Sequence, residues 1–286
     1  MPEQPTEPGL DEIYAVNRRR WDELVGVHLA PGGYDLTQLR GGAGRLHAIE
    51  EAELPEAFGP LSGQRLIHLQ CHFGADTLTL AQRGATVTGV DFSPEAIRAA
   101  EGLAAELGLA GRARFVRCNL YDAPAAVGEA GGFDLAFVTW GAISWLPDIR
   151  AWARVVANFL RPGGRLYLAE GHPAALVFDD RAAGPDGMPG WFAPYFARAP
   201  IVTEEHDYAN REAVLENSSE IGFLHPLGDV TAALGEAGLG IRLLREHEAV
   251  PWQMFRCLVR GPDGLWRWPD RPWLPLAFSL MAERLE

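Results

Sequence analysis

Between residues 65 and 172, short apolar runs alternate with stretches of helical spacing. The runs are rich in Val, Ile, Leu and Phe, which is typical of strands buried on both faces of a parallel sheet. They are RLIHLQ, ATVTGVD, ARFVRC, FDLAFVT and GRLYLAE. Helical spacing lies between them at 77–82, 94–107 and 149–159. Because parallel strands need crossover connections, this alternation predicts a doubly wound α/β core with helices on both faces of the sheet.

The segments that flank this core have different patterns. Residues 1–10 predict a disordered tail, followed by a helix that Asp11 caps and by a second helix at 48–58. Two extended runs, PIVTEEHDYA and AVLENSSEIGF, predict an antiparallel hairpin inserted over the sheet, where substrate lids are commonly built. The core resumes with a helix at 227–237, a strand at 240–247 and a final strand, PLAFSLMAERL.

These elements predict a single domain over 1–286. We expect a mostly parallel seven-stranded sheet with its last strand antiparallel and an inserted β-hairpin lid. The predicted parts are a helical cap at 1–60, a central core at 65–172, the lid at 174–224 and the rest of the core at 225–286. The aromatic residues at 191–196 and 252–273 either line an apolar acceptor site or form a dimer surface.

The charged residues of the chain limit the substrates and the chemistry that can be expected. The chain has 286 residues and a formal net charge of −13, which would repel a phosphate backbone, so nucleic acid is not expected as a substrate. All 25 basic side chains are arginine, and the absence of lysine excludes Schiff-base chemistry and a P-loop lysine. The one dense basic run, 18–20, is expected to coat a helix.

The three cysteines, Cys71, Cys118 and Cys257, are too few and too scattered for a disulfide framework or a zinc cluster. We therefore expect a reduced, cytoplasmic protein without a metal. The N-terminus has no apolar signal region, and no run of 18 apolar residues occurs, so secretion and membrane insertion are both disfavoured.

The candidate ligand-binding residues lie where the predicted strands end, because open α/β sheets bind ligands at the carboxyl ends of their strands. The first strand is followed by QCHFGAD, in which Gly74 is the one remaining glycine. A dinucleotide fingerprint needs three glycines so that backbone amides can approach a pyrophosphate. This loop cannot provide that path.

Asp91 closes the second strand, 17 residues beyond Gly74. A carboxylate there can accept both hydroxyls of an adenosine ribose. Alternatively, Asp91 only caps the next helix, although Ser93 before Pro94 already provides a good cap.

The third and fourth strands add polar and aromatic candidates. Asn119 either receives an adenine amino group, with Leu120 packed on the ring, or simply turns the chain. The fourth strand runs into TWGAISWLPD, which is apolar where a loop would ordinarily be polar. An indole face would suit a sulfonium cation there, although Trp140 and Trp145 also fit a core position.

Taken together, 65–172 resembles the class I S-adenosylmethionine (SAM)-dependent methyltransferase family, in particular its small-molecule branch. The resemblance is carried by LIHLQCHFG, VTGVDFSPEAIRAA, FVRCNLYD, FDLAFVTWGAISWLPD and LRPGGRLYLAEGHP. YAVNRRRWDELVGVH resembles the helix that closes over the cofactor in many members. The resemblance implies SAM as methyl donor, S-adenosylhomocysteine as product and a small-molecule acceptor.

The resemblance also implies a cofactor site. The loop with Gly74 would pass the methionine arm, Asp91 would hold the ribose, and Tyr14 and Trp21 would cover the cofactor. The implied cofactor-binding residues are Tyr14, Trp21, Gln70, His72, Gly74, Asp91, Phe92, Ser93, Asn119, Leu120, Thr139, Trp140 and Gly141. The family's first-strand acidic residue is His68 here, and two of its loop glycines are Gln70 and His72, which can still hydrogen-bond to a carboxylate or an amine.

Methyl transfer is an in-line displacement that requires alignment and exclusion of water and no covalent residue. For a hydroxyl acceptor, a general base adds about 10²- to 10⁴-fold. His172, just past the fifth strand, and His225, which opens the helix after the hairpin, are the candidates, with Glu170 as a weaker one. Either histidine fits a structural role equally well.

Two alternatives stay open at this point. One is a non-catalytic protein that binds SAM, and the other is a nicotinamide-dependent oxidoreductase of the same fold, which the missing glycines disfavour. The expected oligomeric state is a monomer or a homodimer.

Overall fold

A computed structural model of the chain describes residues 8–210 and 212–286, so most of the predicted tail, 1–7, lies outside the described residues. The strands, in chain order, are β1 (Arg65–Leu69), β2 (Thr86–Asp91), β3 (Ala113–Arg117), β4 (Phe133–Thr139), β5 (Leu160–Gly171), β6 (Phe178–Asp179), β7 (Gly190–Trp191), β8 (Ile201–Glu204), β9 (Ser219–Gly222), β10 (Leu239–His247), β11 (Ala249–Val250), β12 (Val259–Arg260), β13 (Trp266–Arg267) and β14 (Ala277–Arg284).

The α-helices are α1 (Leu10–Leu29), α2 (Thr37–Arg40), α3 (Ala48–Ala57), α4 (Ala75–Gln82), α5 (Pro94–Glu106), α6 (Ala123–Val127), α7 (Ile149–Phe159) and α8 (Leu227–Glu236). The prediction that Asp11 caps the first helix is wrong, because Gly9 is at the N-cap. Asp11 lies in the first turn instead, where a carboxylate interacts favourably with the helix dipole. The Gly/Ala-rich connection after β3 contains α6, which the apolar pattern does not predict.

Seven strands form one sheet in the order β10-β14-β5-β4-β1-β2-β3. Strands β1 to β5 run parallel, whereas β14 is antiparallel to both of its neighbours, β5 and β10. The predicted mostly parallel seven-stranded sheet with an antiparallel last strand is confirmed. The chain proceeds from β1 through β2 to β3 on one side and through β4 to β5 on the other, so strand order reverses between β1 and β4.

Alternate residues of the central strands pack into two separate cores. In β4, Leu135 and Phe137 pack into the core that α4 and α5 cover, whereas Ala136 and Val138 pack into the core that α7 and α8 cover. Side chains of a strand alternate between faces, which explains why apolar residues occur at consecutive positions in these strands. The sheet is covered by helices on both faces, as the sequence predicts.

Helix α1 is fastened to the predicted hairpin, which forms as the antiparallel pair β8–β9. Asn17 Nδ2 donates to the carbonyl of Ile221 (2.8 Å), and the amide of Ile221 donates back to Asn17 Oδ1 (2.9 Å). The buried Arg20 guanidinium donates to carbonyls of the hairpin segment and pairs with Glu220 at 2.9 Å. The Glu23 carboxylate accepts the amides of 216 and 217. We call Asn17, Arg20 and Glu23 the clasp.

The clasp corrects the prediction that residues 18–20 coat a helix. Arg18 and Arg19 are exposed, as expected, but Arg20 is buried against the hairpin.

The C-terminal aromatic insertion folds as a second, three-stranded sheet in the order β11-β13-β12. Trp268 is buried in its core, and Trp252 and Trp266 pack against the same cluster. Only the fourth tryptophan, Trp273, is about half exposed, at 51%. Three tryptophans of this insertion therefore pack in or against a core, whereas Trp191 and Phe196 in the other aromatic segment are exposed.

Candidate active site

The site lies where strand order reverses, at the carboxyl ends of β1 and β4. Within the described residues, the non-glycine residues with positive φ are Gln70 (59°), His72 (50°) and Trp140 (50°). All three lie within three residues after the end of β1 or β4. A left-handed backbone costs of order 1–3 kcal/mol for such residues and tends to persist where function requires it. These strained conformations therefore indicate a functional site at the carboxyl ends of β1 and β4.

Side chains in the loop after β1 carry hydrogen-bonding atoms that glycines would lack. Gln70 Nε2 donates to the carbonyl of Ala142 (2.7 Å), which fixes the amide and leaves Gln70 Oε1 buried without a hydrogen-bond partner among the described residues. Gly74, at φ +78°, begins α4, and a Cβ there would come within 2.8 Å of the Phe115 ring. Gly74 is therefore required by close packing as well as by its backbone conformation.

Asp91 bridges the loops that follow β1 and β2. One carboxylate oxygen accepts the backbone amide of His72 (2.8 Å), and the other accepts that of Ser93 (2.9 Å). Burial raises the pKa of Asp91 to about 6, although these amide donors oppose the shift. The Ser93 hydroxyl caps α5 by accepting the amide of Ala96 (3.0 Å). Asp91 is thus more than a helix cap, and Phe92 lies half-buried beside it.

Helix α1 covers the ends of β1, β3 and β4. The Trp21 ring packs edge-on against His72 (centroids 5.2 Å apart) and Trp145 (5.5 Å). Trp145 Nε1 is buried without a hydrogen-bond partner among the residues described. Tyr14 hydrogen-bonds to Asn119, whose Oδ1 also accepts the amide of Tyr121 and turns the chain. Leu120 is buried in the core.

The loop after β4 is held by two carboxylates. Trp140 Nε1 donates to the buried Glu50 of α3 (2.5 Å), so this indole points toward the cap. Glu170 accepts the backbone amides of Gly141, Ala142 and Ile143 at 2.5 to 2.8 Å. Thr139 is buried at the strand end. With both oxygens engaged, Glu170 fits a structural role better than that of a base.

The two predicted catalytic histidines lie apart from this cluster. His172 Nε2 is 3.0 Å from a Glu246 oxygen, and its Nδ1 accepts the amide of Ala174. His225 Nε2 hydrogen-bonds to the carbonyl of Leu146 (2.8 Å), and its ring stacks on Phe223. Burial lowers the pKa of both histidines. These contacts engage both side chains within the protein, and their catalytic role stays a prediction.

Sequence reasoning missed two residues that the fold brings to His72. His28 Nδ1 lies 2.8 Å from His72 Nε2, and His28 Nε2 lies 2.8 Å from an Asp207 oxygen. The signal was the spacing of polar residues along α1, where Asn17, Arg20 and His28 fall on one buried face. His68, in contrast, is internal: its Nδ1 pairs with the Thr77 hydroxyl (2.8 Å), and burial lowers its pKa to about 3.

Comparison with known proteins agrees with this geometry. A family model described as a methyltransferase domain matches residues 67–166. This stretch therefore matches a methyltransferase domain. The methyltransferase domain contains the strained loops after β1 and β4, Asp91 and Asn119.

Relatives and solved structures extend the comparison beyond the methyltransferase domain. The chain is 33% identical over 128 residues to the ubiquinone biosynthesis O-methyltransferase of Xylella fastidiosa, covering 43% of this chain and 49% of that one. It spans about half the length of the curated relatives it matches first.

Two solved structures share the fold. A putative SAM-dependent methyltransferase from Listeria monocytogenes has a TM-score of 0.60 at 16% identity, covering 83% of this chain and 98% of that one. The geranyl diphosphate C-methyltransferase of Streptomyces coelicolor A3(2) has a TM-score of 0.54 at 15% identity, covering 98% of this chain and 100% of that one.

Within residues 8–210 and 212–286, no helix is both long and apolar enough to cross a membrane. In the same part of the chain, no group of three or more His, Cys, Asp and Glu side chains is placed to hold a metal ion.

Proposed function

We propose that this protein is a SAM-dependent methyltransferase that methylates an oxygen or nitrogen atom of a small molecule, with a hydroxyl oxygen as the first choice. The O-methyltransferase names of its relatives support oxygen. We further propose that 1–286 acts as one domain, in the cytoplasm, as a monomer or homodimer.

One observation carries the proposal: among the buried polar atoms without a hydrogen-bond partner in the described residues, two belong to the loops after β1 and β4 themselves. They are the acceptor Gln70 Oε1 and the donor Trp145 Nε1. Leaving such atoms buried without a partner costs about 1–3 kcal/mol each. A ligand with an ammonium and a carboxylate, such as the methionine arm of SAM, would satisfy both.

The remaining groups fit the adenosine part of the same cofactor. Asp91 would accept the ribose hydroxyls, and Asn119 and Tyr14 would lie toward the adenine. When bound, SAM supplies a methyl group on a positively charged sulfur. The chain aligns the acceptor with that methyl group and excludes water through Trp21 and the hairpin held by the clasp.

Calorimetry with S-adenosylhomocysteine tests the cofactor site. Trp145→Phe removes the unpartnered N–H and keeps a smaller aromatic ring, so we expect an affinity loss of about tenfold. Trp152→Phe is the matched control, because Trp152 Nε1 is also buried and unpartnered but belongs to the core of α7. Equal losses in both variants, or binding of NAD in place of S-adenosylhomocysteine, would refute the proposed site.

Turnover separates the enzyme from a non-catalytic SAM-binding protein. Formation of S-adenosylhomocysteine from SAM is measured with a panel of phenols and catechols, and then with amines. Methylation of a phenol or catechol supports hydroxyl chemistry. Tight cofactor binding without turnover of any acceptor favours the non-catalytic protein.

A further inference from the structure

Three residues from distant parts of the chain form a buried hydrogen-bonded row. Asp207, between β8 and β9, contacts His28 of α1, and His28 contacts His72 in the loop after β1, with 2.8 Å at each contact. His28 is 0% exposed and Asp207 is 1% exposed. The row therefore connects the hairpin segment, the cap helix and the cofactor loop through side chains alone.

The row fixes which ring nitrogens carry protons. The second oxygen of Asp207 accepts the amides of Ala209 (3.2 Å) and Asn210 (2.6 Å). Burial alone would raise the pKa of Asp207, but the hydrogen bond from His28 and these amides lower it below its ordinary value. An ionised Asp207 can only accept, so a neutral His28 would carry its proton on Nε2 and accept at Nδ1. His72 consequently carries its proton on Nε2, and its Nδ1 is left with a free lone pair.

We propose that Asp207, His28 and His72 form a proton relay in which His72 Nδ1 is the general base for a hydroxyl acceptor. This inference rests on the proposed function. The acceptor oxygen forms the new bond to the methyl carbon while the methyl–sulfur bond breaks, with its electron pair remaining on sulfur. The hydroxyl proton passes to His72 Nδ1, and the Nε2 proton of His72 passes to His28 Nδ1. The positive charge ends on His28, beside the Asp207 carboxylate.

The surroundings of His72 fit this role. Burial and the neighbouring His28 hold the pKa of His72 well below its ordinary value, so the ring is neutral before the reaction. Its ring contacts Trp21, which in turn contacts Trp145 in the loop after β4. His72 thus lies among the aromatic side chains that enclose the site, whereas His172 and His225 are engaged elsewhere.

Other titratable groups near the row titrate outside the range that the test uses. Tyr34 and Tyr208 pack on His28 and share a 2.6 Å hydrogen bond between their hydroxyls, and desolvation raises the pKa of both. Burial raises the pKa of Asp91, which accepts the amide of His72, and that of Asp76 in α4 to about 6. Above about pH 7 all four groups keep one charge state, up to the range in which tyrosines ionise near 10.

Asp207→Asn is the decisive variant. An amide in place of the carboxylate can donate to His28 Nε2, which reverses both tautomers and places a proton on His72 Nδ1. Glu212→Gln is the control, because it makes the same chemical change on an exposed residue of the same segment. Imidazole ¹⁵N spectra of the protein with bound S-adenosylhomocysteine report the tautomers, with His28 and His72 assigned from His28→Gln and His72→Asn.

For Asp207→Asn, we expect the tautomers to reverse and kcat on a phenolic acceptor to fall about 100-fold or more, with affinity for S-adenosylhomocysteine within about threefold of wild type. The wild-type rate should be flat from about pH 7 to 9, whereas the variant's rate should rise about tenfold per unit as the phenol itself ionises near pH 10. A purely structural role would leave the shape of the pH profile unchanged.

Three results would overturn the relay: unchanged tautomers, kcat equal to that of Glu212→Gln, or a protein that binds the cofactor and methylates no hydroxyl. Failure of the wild-type protein to bind S-adenosylhomocysteine would instead overturn the proposed function.

Discussion

Asp91 shows two opposing effects on a single carboxylate. Burial favours the neutral acid, and the amides of His72 and Ser93 favour the anion. Burial dominates, and the pKa rises to about 6. The carboxylate is thus ionised near neutral pH at a desolvation cost that donors from a bound ribose would offset.

Affinity for S-adenosylhomocysteine should depend on pH through Asp91. Above about pH 7 the carboxylate is ionised and affinity is constant. As pH falls below about 6, protonation removes an acceptor for the ribose hydroxyls and affinity falls by up to tenfold per unit. Calorimetry from about pH 5 to pH 8 measures this. Asp91→Asn should bind weakly at every pH, and a flat profile for the wild-type protein would contradict the ribose role.

The sequence located residues at strand ends better than it located residues that side chains bring together. Gln70 and His72 lie just after β1, and Asp91 ends β2. The apolar spacing predicts where these strands end, and the carboxyl ends of parallel strands lie at one edge of the sheet. His28 and Asp207 are 179 residues apart, and no local pattern joins them. The polar residues on one face of α1 were the only sequence feature that could have indicated a buried polar contact for His28.

At the scale of elements, α1 and the hairpin are joined by polar contacts in place of an apolar core. Arg20 donates to the carbonyls of Glu205, His206 and Ser218 at 3.0 to 3.1 Å. Glu220, its ion-pair partner, has a pKa raised to about 7 by burial, which Arg20 opposes. The carboxylate therefore depends on its partner to stay charged.

Arg20→Met should release the hairpin, because it removes the ion-pair partner of the largely buried Glu220 and the donor to three hairpin carbonyls. Removing one partner of a buried ion pair costs about 3–5 kcal/mol. Hydrogen exchange over 201–222 should accelerate strongly in the variant. Arg18→Met changes an exposed neighbour in the same arginine run and should exchange like wild type. Equal protection in the two variants would mean that apolar contacts hold the hairpin.

The spacing of apolar residues predicted the helices and strands of the core, because each of these elements buries its apolar face against its neighbours. The spacing did not predict the segments whose conformation depends on tertiary packing. The sequence 252–273 carries Trp and Pro without a period, and it folds because Trp268, Phe255 and Leu258 share one small core.

For the molecule as a whole, the last strand in the chain is second in the sheet. β14 lies between β5 and β10 and contributes residues to both faces of the core. The sheet is therefore incomplete until residue 284 is in place, and we expect unfolding to be cooperative across the sheet.

Leu280→Ala should lower the free energy of unfolding by about 2–5 kcal/mol, because it opens a cavity in the middle of the sheet. Leu285→Ala, at a site that is 50% exposed, should change it by about 0.5 kcal/mol or less. Urea titrations followed by fluorescence measure both variants. A small effect of Leu280→Ala would show that β14 contributes little to the sheet.

Because the clasp makes α1 and the hairpin move together, a single opening event would admit both reactants. In the proposed site the donor would lie beneath α1, so it should bind first, and its spent form should depart last. Initial-rate kinetics should then give a sequential ordered pattern, with S-adenosylhomocysteine competitive against SAM and noncompetitive against the acceptor. Random-order kinetics would mean that α1 and the hairpin open independently.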